Sequence, residues 1–240
     1  GDRFETETLN RFTPPDLVCT ATPWDGGIMT RPTPDLTHEM ALGTRVAGVD
    51  EAGRGPLAGP VAAAAVVLDL ARIPDGLNDS KVLSAARRAA LFDVIHATAH
   101  VGLGWASVAE IDALNIRAAS LLAMQRAVLG LGFVPDAALI DGNACPEGLP
   151  CPGVTLIKGD AKSLSVAAAS IIAKVARDRL MAGLARAHPG YGWEVNQGYP
   201  TAAHLAALQD MGVTPHHRRS FRPVHNILQS RDLQILDSKK

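Results

Sequence analysis

Four acidic residues stand at or just beyond the ends of predicted strands, where they could bind a metal ion. They are Asp50, Glu51, Asp141 and Asp160. Asp50 and Asp141 each end an apolar run without a lysine beside it. A buried carboxylate without a partner costs on the order of several kcal/mol, and a hard divalent cation can remove that cost. The acids are therefore candidate metal ligands, although acidic residues at strand ends also occur in turns and as helix N-caps.

Asp50 and Glu51 are adjacent, so in a regular strand their side chains point to opposite faces of the sheet. Gly53 and Gly55 follow closely. We therefore expect the chain to turn at Glu51. Both side chains, or one side chain and a neighbouring carbonyl group, could then reach a common ion.

The elements that must position these acids are indicated by hydrophobic periodicity. Strands are predicted at 45–50, 58–68, 101–108, 137–141 and 154–158, the first two paired as a hairpin-like unit. Helices are predicted from Ser84, as N-cap, to 99, over 110–131, over 163–188, and after Thr201. Strands come first and then alternate with helices, which favours an α/β fold with a mixed sheet and helices on both faces.

The charge is divided unevenly along the chain. The net charge is −1, but residues 1–44 hold three Arg and seven acids, which leaves 20 basic and 17 acidic residues in the remainder. The total is therefore only a weak argument against a polyanionic substrate. Residues 1–44 are rich in proline and lack periodicity, so we expect a disordered or loosely packed leader.

Several protein classes are disfavoured by composition. The longest apolar run, 61–68, is too short to cross a bilayer, which takes roughly 20 residues. No secretory signal is evident, so we expect a cytoplasmic protein, without a membrane partner. We also expect a monomer. The three cysteines lack metal-ligand spacing, and we expect free thiols, with a labile Cys145–Cys151 disulfide as the alternative.

Several motifs, in consistent order, resemble the ribonuclease HII family. The segment V-D-E-A-G-R-G-P-L-A-G-P at 49–60 looks like its signature. The further matches are D-S-K at 79–81, I-D-G-N at 140–143, K-G-D-A-K at 158–162 with the helix at 167–178, G-Y-P-T at 198–201 and H-R-R-S-F at 217–221. The resemblance covers about 45–224, and the short leader makes the sister class, ribonuclease HIII, a poor match.

The resemblance implies a ribonuclease H-like mixed sheet flanked by helices, with a small helical C-terminal part that binds substrate. It implies a catalytic domain over 45–224, and we expect a flexible tail over 225–240. The activity implied is cleavage of the RNA strand of RNA–DNA hybrids, and of duplex DNA 5′ to a single embedded ribonucleotide, as in ribonucleotide excision repair. The ends produced would be 3′-hydroxyl and 5′-phosphate.

Phosphodiester hydrolysis by two Mg²⁺ or Mn²⁺ ions fits the four acids, which the resemblance makes catalytic. Two ions about 3.5–4 Å apart activate water, neutralise phosphate charge and stabilise the leaving oxygen. Our hypothesis is that Asp50 bridges the ions and that Asp160 lies near the ion holding the attacking water.

Substrate contacts are predicted at a glycine-rich turn, at several basic residues and at one tyrosine. The backbone of Gly53, Arg54 and Gly55 could contact the 2′-hydroxyl, or form only a tight turn. By resemblance Tyr199 packs on the sugar, the alternative being a core tyrosine. Expected phosphate contacts are Lys81, Lys158, Lys162, Lys174, Arg177, Arg218 and Arg219.

Three other residues have simpler interpretations. We expect surface roles for His216 and His217, and pairing or solvation for Asp178. Two other functions stay open: a type I-like hybrid nuclease and a catalytically silent hybrid-binding module.

Overall fold

A five-stranded mixed sheet forms the centre of residues 33–237, the part of the chain that the computed structural model describes. The strands are β1 (Val46–Ala52), β2 (Val61–Leu68), β3 (Ala99–Ala106), β4 (Ala137–Asp141) and β5 (Gly153–Leu156). Their order is β3-β2-β1-β4-β5. β2 runs antiparallel to β1 and β3, whereas β4 runs parallel to β1 and β5. The predicted mixed sheet and its first hairpin are confirmed.

Helices cover both faces of this sheet, as the sequence predicts. They are α1 (Thr37–Leu42), α2 (Ala85–Thr98), α3 (Val108–Leu114), α4 (Ile116–Leu129), α5 (Leu164–Ala187), α6 (Trp193–Asn196), α7 (Ala202–Met211) and α8 (Arg222–Asp237), with a 3₁₀ helix at Gly159–Ala161. Ala63 and Ala65 of β2 pack towards α4, while Ala64 and Val66 pack towards α2 and α5. Within 33–237, no helix combines the length and apolarity that crossing a membrane requires.

Small residues let the helices lie close to the sheet. A Cβ added to Gly48 of β1 would stand 2.1 Å from the backbone of Ser165 in α5. One added to Gly104 of β3 would stand 2.0 Å from the carbonyl oxygen of Ala123 in α4. Contacts this short leave no room for a side chain, so these glycines fix how closely α5 and α4 approach β1 and β3.

The predicted helix 110–131 is wrong, because two helices meet at Asn115. Asn115 has a positive φ of 71°, and its side chain accepts hydrogen bonds from the backbone N–H groups of Arg117 and Ala118. It therefore caps α4 and ends α3. β3 also begins and ends two residues before its predicted bounds, since Ser107 and Glu110 form a capping box that starts α3.

The C-terminal part is helical beyond the point where we expected a flexible tail. Helix α8 covers Arg222–Asp237, and its buried Val224 joins a cluster that includes Trp193 and Leu208. The apolar residues of α8 near its start therefore belong to the folded C-terminal part, whose helical character the sequence predicted.

The described end of the leader, residues 33–44, is packed rather than loose. The backbone of Asp35 accepts a hydrogen bond from Leu164 and donates one to Lys162. The buried Glu39 accepts three hydrogen bonds, from Ser163 Oγ, Ser165 N and Ser165 Oγ, at 2.6–2.8 Å. The expectation of a loose leader is thus wrong for this segment, and residues 1–32 lie outside the described part.

Glu39→Ala is expected to lower the free energy of unfolding by about 2 kcal/mol, because it strands buried donors at the start of α5. The loss is limited because Glu39 Oε2 has no hydrogen-bond partner among residues 33–237. Urea denaturation measures the effect, with Met40→Ala as control, since Met40 is exposed in the same helix. Equal stability of the two variants would show that this contact contributes little.

Candidate active site

Three of the predicted acids meet at one edge of the sheet. Parallel pairing of β1 with β4 ends at Val49 and Ile140, so Asp50 and Asp141 follow on neighbouring strands. One carboxylate oxygen from each of Asp50, Glu51 and Asp141 lies within 4.8 Å of the others. An all-oxygen set at this separation suits Mg²⁺ or Mn²⁺.

The expected turn at Glu51 is wrong, because β1 stays paired with β2 as far as Ala52. Asp50 lies on the face of Gly48, towards α5, and Glu51 lies on the other face, beside Met124 of α4. The two carboxylates nevertheless approach Asp141 from opposite faces. They can do so because β1 has no β4 partner beyond Val49, which leaves that edge of the strand open.

The electrostatics of the cluster favour a bound cation. Burial raises the pKa of Asp50 well above its usual range, and the charges of Glu51, Asp141 and Asp160 raise it further. Burial also raises the pKa of Glu51, opposed by Arg54, whose guanidinium lies 3.1 Å from Glu51 Oε1. Burial raises the pKa of Asp141, and the hydrogen bond from the N–H group of Gly159 only partly offsets this increase. A divalent ion would stabilise all three carboxylates in the charged form.

The fourth acid, Asp160, is paired with a lysine. It is buried in the 3₁₀ helix after β5, and Lys81 Nζ lies 2.9 Å from its Oδ2. Burial alone would lower the pKa of Lys81, but the hydrogen bond and charge of Asp160 outweigh it and raise that pKa. Lys81 therefore contacts an acid of the site.

A cavity of about 280 Å³ opens beside the acids and contains most of the predicted substrate contacts. It is lined by Asp50, Glu51, Ala52, Gly53, Arg54, Gly55, Ser80, Lys81, Asp141, Lys174, Arg177 and Tyr199. Lys158 does not line it, and is exposed at a positive φ of 57° before the 3₁₀ helix. Ser80 is a lining residue that the sequence did not single out, although it stands within the D-S-K motif.

Tyr199 lies at the rim of this cavity. Its side chain is 44% exposed, so it is not a core tyrosine. A Cβ added to Gly55 would stand 3.2 Å from the Tyr199 ring. The ring therefore lies against the turn that contains Gly55 and lines the same cavity.

Two predicted phosphate contacts are wrong. Arg177 and Arg218 are buried, and each donates hydrogen bonds to three backbone carbonyl groups. Their guanidinium groups are therefore engaged inside the protein. Asp178 pairs with Lys174 at 2.8 Å, the basic neighbour one turn away.

The surface role expected for His217 is also wrong, because its side chain is buried in a hydrogen-bond network. His204 Nδ1 lies 2.9 Å from the carbonyl oxygen of Tyr199, while His204 Nε2 accepts from Trp193 Nε1. His217 Nδ1 accepts from Thr214 N, so its Nε2 carries the proton towards His204 Nε2, 3.1 Å away. Both imidazoles are therefore held neutral, and His204 ties this network to Tyr199.

Acid is expected to destabilise the protein through this network. Burial lowers the pKa of His217 to about 3, and repulsion from His204 and His216 when they bind protons acts in the same direction, so its folded form binds fewer protons than the unfolded chain. Stability is then present above the unfolded pKa of about 6.5 and is lost as the pH falls towards 3. We expect a loss of about 2 kcal/mol between pH 7 and pH 5, measured by urea denaturation. His217→Asn should flatten this slope, and parallel slopes would contradict the assignment.

Comparisons with known proteins agree with this architecture. The family model for ribonuclease HII matches residues 47–224. The chain is 64% identical over 199 residues to the ribonuclease HII of Ruegeria pomeroyi, covering 81% of this chain and 85% of that protein. It is 63% identical over 195 residues to that of Jannaschia sp., covering 81% and 98%.

Solved structures show the same fold. Ribonuclease H2 of Pyrococcus horikoshii matches with a TM-score of 0.63 and 29% identity, over 78% of this chain and 98% of that one. The ribonuclease HII of Archaeoglobus fulgidus, solved in complex with PCNA, matches with a TM-score of 0.64 and 28% identity, over 74% and 95%.

Proposed function

The chain belongs to the ribonuclease HII family and is a metal-dependent endoribonuclease acting on RNA–DNA hybrids, and we propose that it also cuts duplex DNA 5′ to a single ribonucleotide. The products would carry 3′-hydroxyl and 5′-phosphate ends. The observation that supports this most strongly is the placement of Asp50, Glu51 and Asp141 in one cavity with the Gly53–Gly55 turn and Tyr199.

Asp50, Glu51, Asp141 and Asp160 are the residues that would hold two Mg²⁺ or Mn²⁺ ions. When bound, such ions supply an activated water and neutralise charge on the scissile phosphate. Asp50 is central among the acids, since the charges of the other three all act on it. Lys81, beside Asp160, offers a positive charge to the phosphate at the same edge of the cavity.

Recognition of the ribonucleotide would come from the turn and the tyrosine. Telling RNA from DNA requires contact with the 2′-hydroxyl. Gly53 and Gly55 let a substrate approach the backbone of the turn closely, and Tyr199 stands beside it as a flat surface for the sugar. Lys174, which pairs with Asp178, also lines the cavity and would make a phosphate contact there.

The experiment that tests this proposal compares three labelled duplexes: one with a single ribonucleotide, one full RNA–DNA hybrid and one of DNA alone. We expect Mg²⁺-dependent cutting of the first two, with the single cut 5′ to the ribonucleotide, and none of the third. Cutting of the long hybrid alone would indicate a type I-like specificity. Binding of the hybrid without cutting in Mg²⁺ or Mn²⁺ would indicate a silent binding module.

A further inference from the structure

Arg218 holds the glycine-rich turn from inside the protein. Its Nη2 donates to the carbonyl oxygen of Gly53 at 2.6 Å, its Nη1 to that of Arg54 at 2.9 Å, and its Nε to that of Gly59 at 2.9 Å. Arg218 is separated from Gly53 and Arg54 by about 160 residues of sequence, yet a single side chain binds both ends of the segment 53–59. The turn therefore depends on a residue of the C-terminal part.

Arg177 of α5 holds the same segment from another side and joins it to the Tyr199 loop. It donates to the carbonyl oxygens of Ala58, Pro60 and Gln197 at 2.9–3.0 Å. A Cβ added to Gly53 would stand 2.0 Å from Arg177 Nε, so the turn packs directly on this guanidinium. Arg177 thus fixes the distance between the turn and the loop that carries Tyr199.

Neither arginine is neutralised by an acid. Among the side chains of residues 33–230 neither has an ion-pair partner, and burial lowers the pKa of Arg177 to about 10 and that of Arg218 to about 9. Burying two such cations is costly, and a fold that needed only packing could fill the space with apolar residues. The two arginines together bind six backbone carbonyl groups. Their contribution is therefore to hold the backbone of the turn and of the Tyr199 loop in place.

The direction of these hydrogen bonds sets the direction of the N–H groups in the turn. In a planar trans peptide unit the C=O and N–H groups point in opposite directions. Because the carbonyl groups of Gly53 and Arg54 point at Arg218, the N–H groups of Arg54 and Gly55 point away from it. Neither N–H group finds an acceptor in the described part of the chain, and both residues line the cavity. The turn therefore presents hydrogen-bond donors to the cavity, while these two carbonyl groups are occupied.

We propose that Arg177 and Arg218 are positioning residues for ribonucleotide recognition, which hold the N–H groups of Arg54 and Gly55 towards the substrate and hold the turn against Tyr199. The substrate groups that fit two such donors are an oxygen of the ribose hydroxyl or of the adjoining phosphate. This inference rests on the proposed function for its substrate, but the clamp itself is a property of the free protein.

The test uses the full-length variants Arg218→Lys and Arg177→Lys, since lysine keeps the charge but carries its donors on one nitrogen, which cannot reach three carbonyl groups spread around a guanidinium. Two quantities are measured: kcat/KM for the single-ribonucleotide duplex in Mg²⁺, and hydrogen–deuterium exchange, without substrate, of the segment 53–60, in which the N–H groups of Leu57 and Gly59 are hydrogen-bonded to Gly198 and His216. We expect at least a tenfold loss of kcat/KM and at least tenfold faster exchange in that segment. The inhibition constant of an all-DNA duplex should change less than twofold, because general duplex binding does not require the turn.

The control is Arg179→Lys, an exposed arginine two residues from Arg177 in the same helix. It should change neither quantity. If Arg218→Lys does not fold, as judged by circular dichroism, Arg218→Gln and Arg177→Lys decide the matter. Unchanged exchange over 53–60 in folded variants would overturn the clamp. If the wild-type protein cut no single-ribonucleotide duplex, the proposed substrate would fail, while the exchange measurement would still decide the clamp.

Discussion

Asp50→Asn is expected to lower the rate of metal-dependent cleavage by at least ~10³-fold, because it removes the carboxylate on which the other acids of the site converge. Losing several kcal/mol of charge stabilisation corresponds to about this factor, at roughly 1.4 kcal/mol per tenfold. The rate is measured under single-turnover conditions with saturating enzyme and saturating Mg²⁺, so that affinity for the substrate or the metal does not enter.

The matched control is Asp69→Asn, which removes a half-buried acid that follows β2 at the end of the strand away from the site and should leave the rate within about twofold. Folding is checked in EDTA. Because the pKa of Asp50 is raised, its charge destabilises the metal-free fold at neutral pH, so Asp50→Asn should melt no lower than the wild type. A variant that is stable and fully active would remove Asp50 from the catalytic group.

Gly53→Ala is expected to abolish most single-ribonucleotide cleavage and to destabilise the protein. Gly53 has a φ of +95°, and its added Cβ would stand 2.0 Å from Arg177 Nε and 2.3 Å from Arg177 Cδ. The backbone strain costs about 1 kcal/mol, and displacement of Arg177 would disturb the turn and the Tyr199 loop together. We expect kcat/KM to fall by about 10²-fold, since small misplacements at a reacting centre cost rate steeply.

The control variant Gly132→Ala separates the effect of backbone strain from the effect of displacing Arg177. Gly132 has a comparable φ of +78°, but an added Cβ there would meet nothing within 4 Å. This variant should lose a similar amount of stability through strain alone and keep its activity. Equal kinetic effects of the two substitutions would show that the contact with Arg177 does not matter for cleavage.

Local signals predicted much of the fold. Ser84 is the N-cap of α2, and Thr201 starts α7, because a cap needs only the residues that follow it. The acids could be placed at strand ends because apolar runs mark those ends. Those local signals do not indicate which strands are neighbours in the sheet. Asp50 and Asp141 lie close together because β1 pairs with β4, which the signals did not predict.

Two of the incorrect predictions share a physical cause, since they concern side chains whose partners are distant in sequence. Arg218 binds carbonyl groups more than 150 residues away, and Glu39 binds serines more than 120 residues away. Arg218, a basic residue in a family motif, was therefore predicted to contact phosphate, although its side chain binds backbone carbonyl groups. The turn expected at Glu51 failed for another reason: an unpaired strand edge lets side chains from both faces meet without a turn.

The assignment of the acids is tested most directly by locating Mn²⁺ in a crystal of the wild-type protein through its anomalous scattering. We expect a peak in contact with carboxylate oxygens of Asp50, Glu51 and Asp141, and its loss in Asp141→Asn crystals grown at the same Mn²⁺ concentration. A peak that persists unchanged in Asp141→Asn, or ions bound only elsewhere at a concentration that supports cleavage, would contradict the assignment of these acids as the metal site.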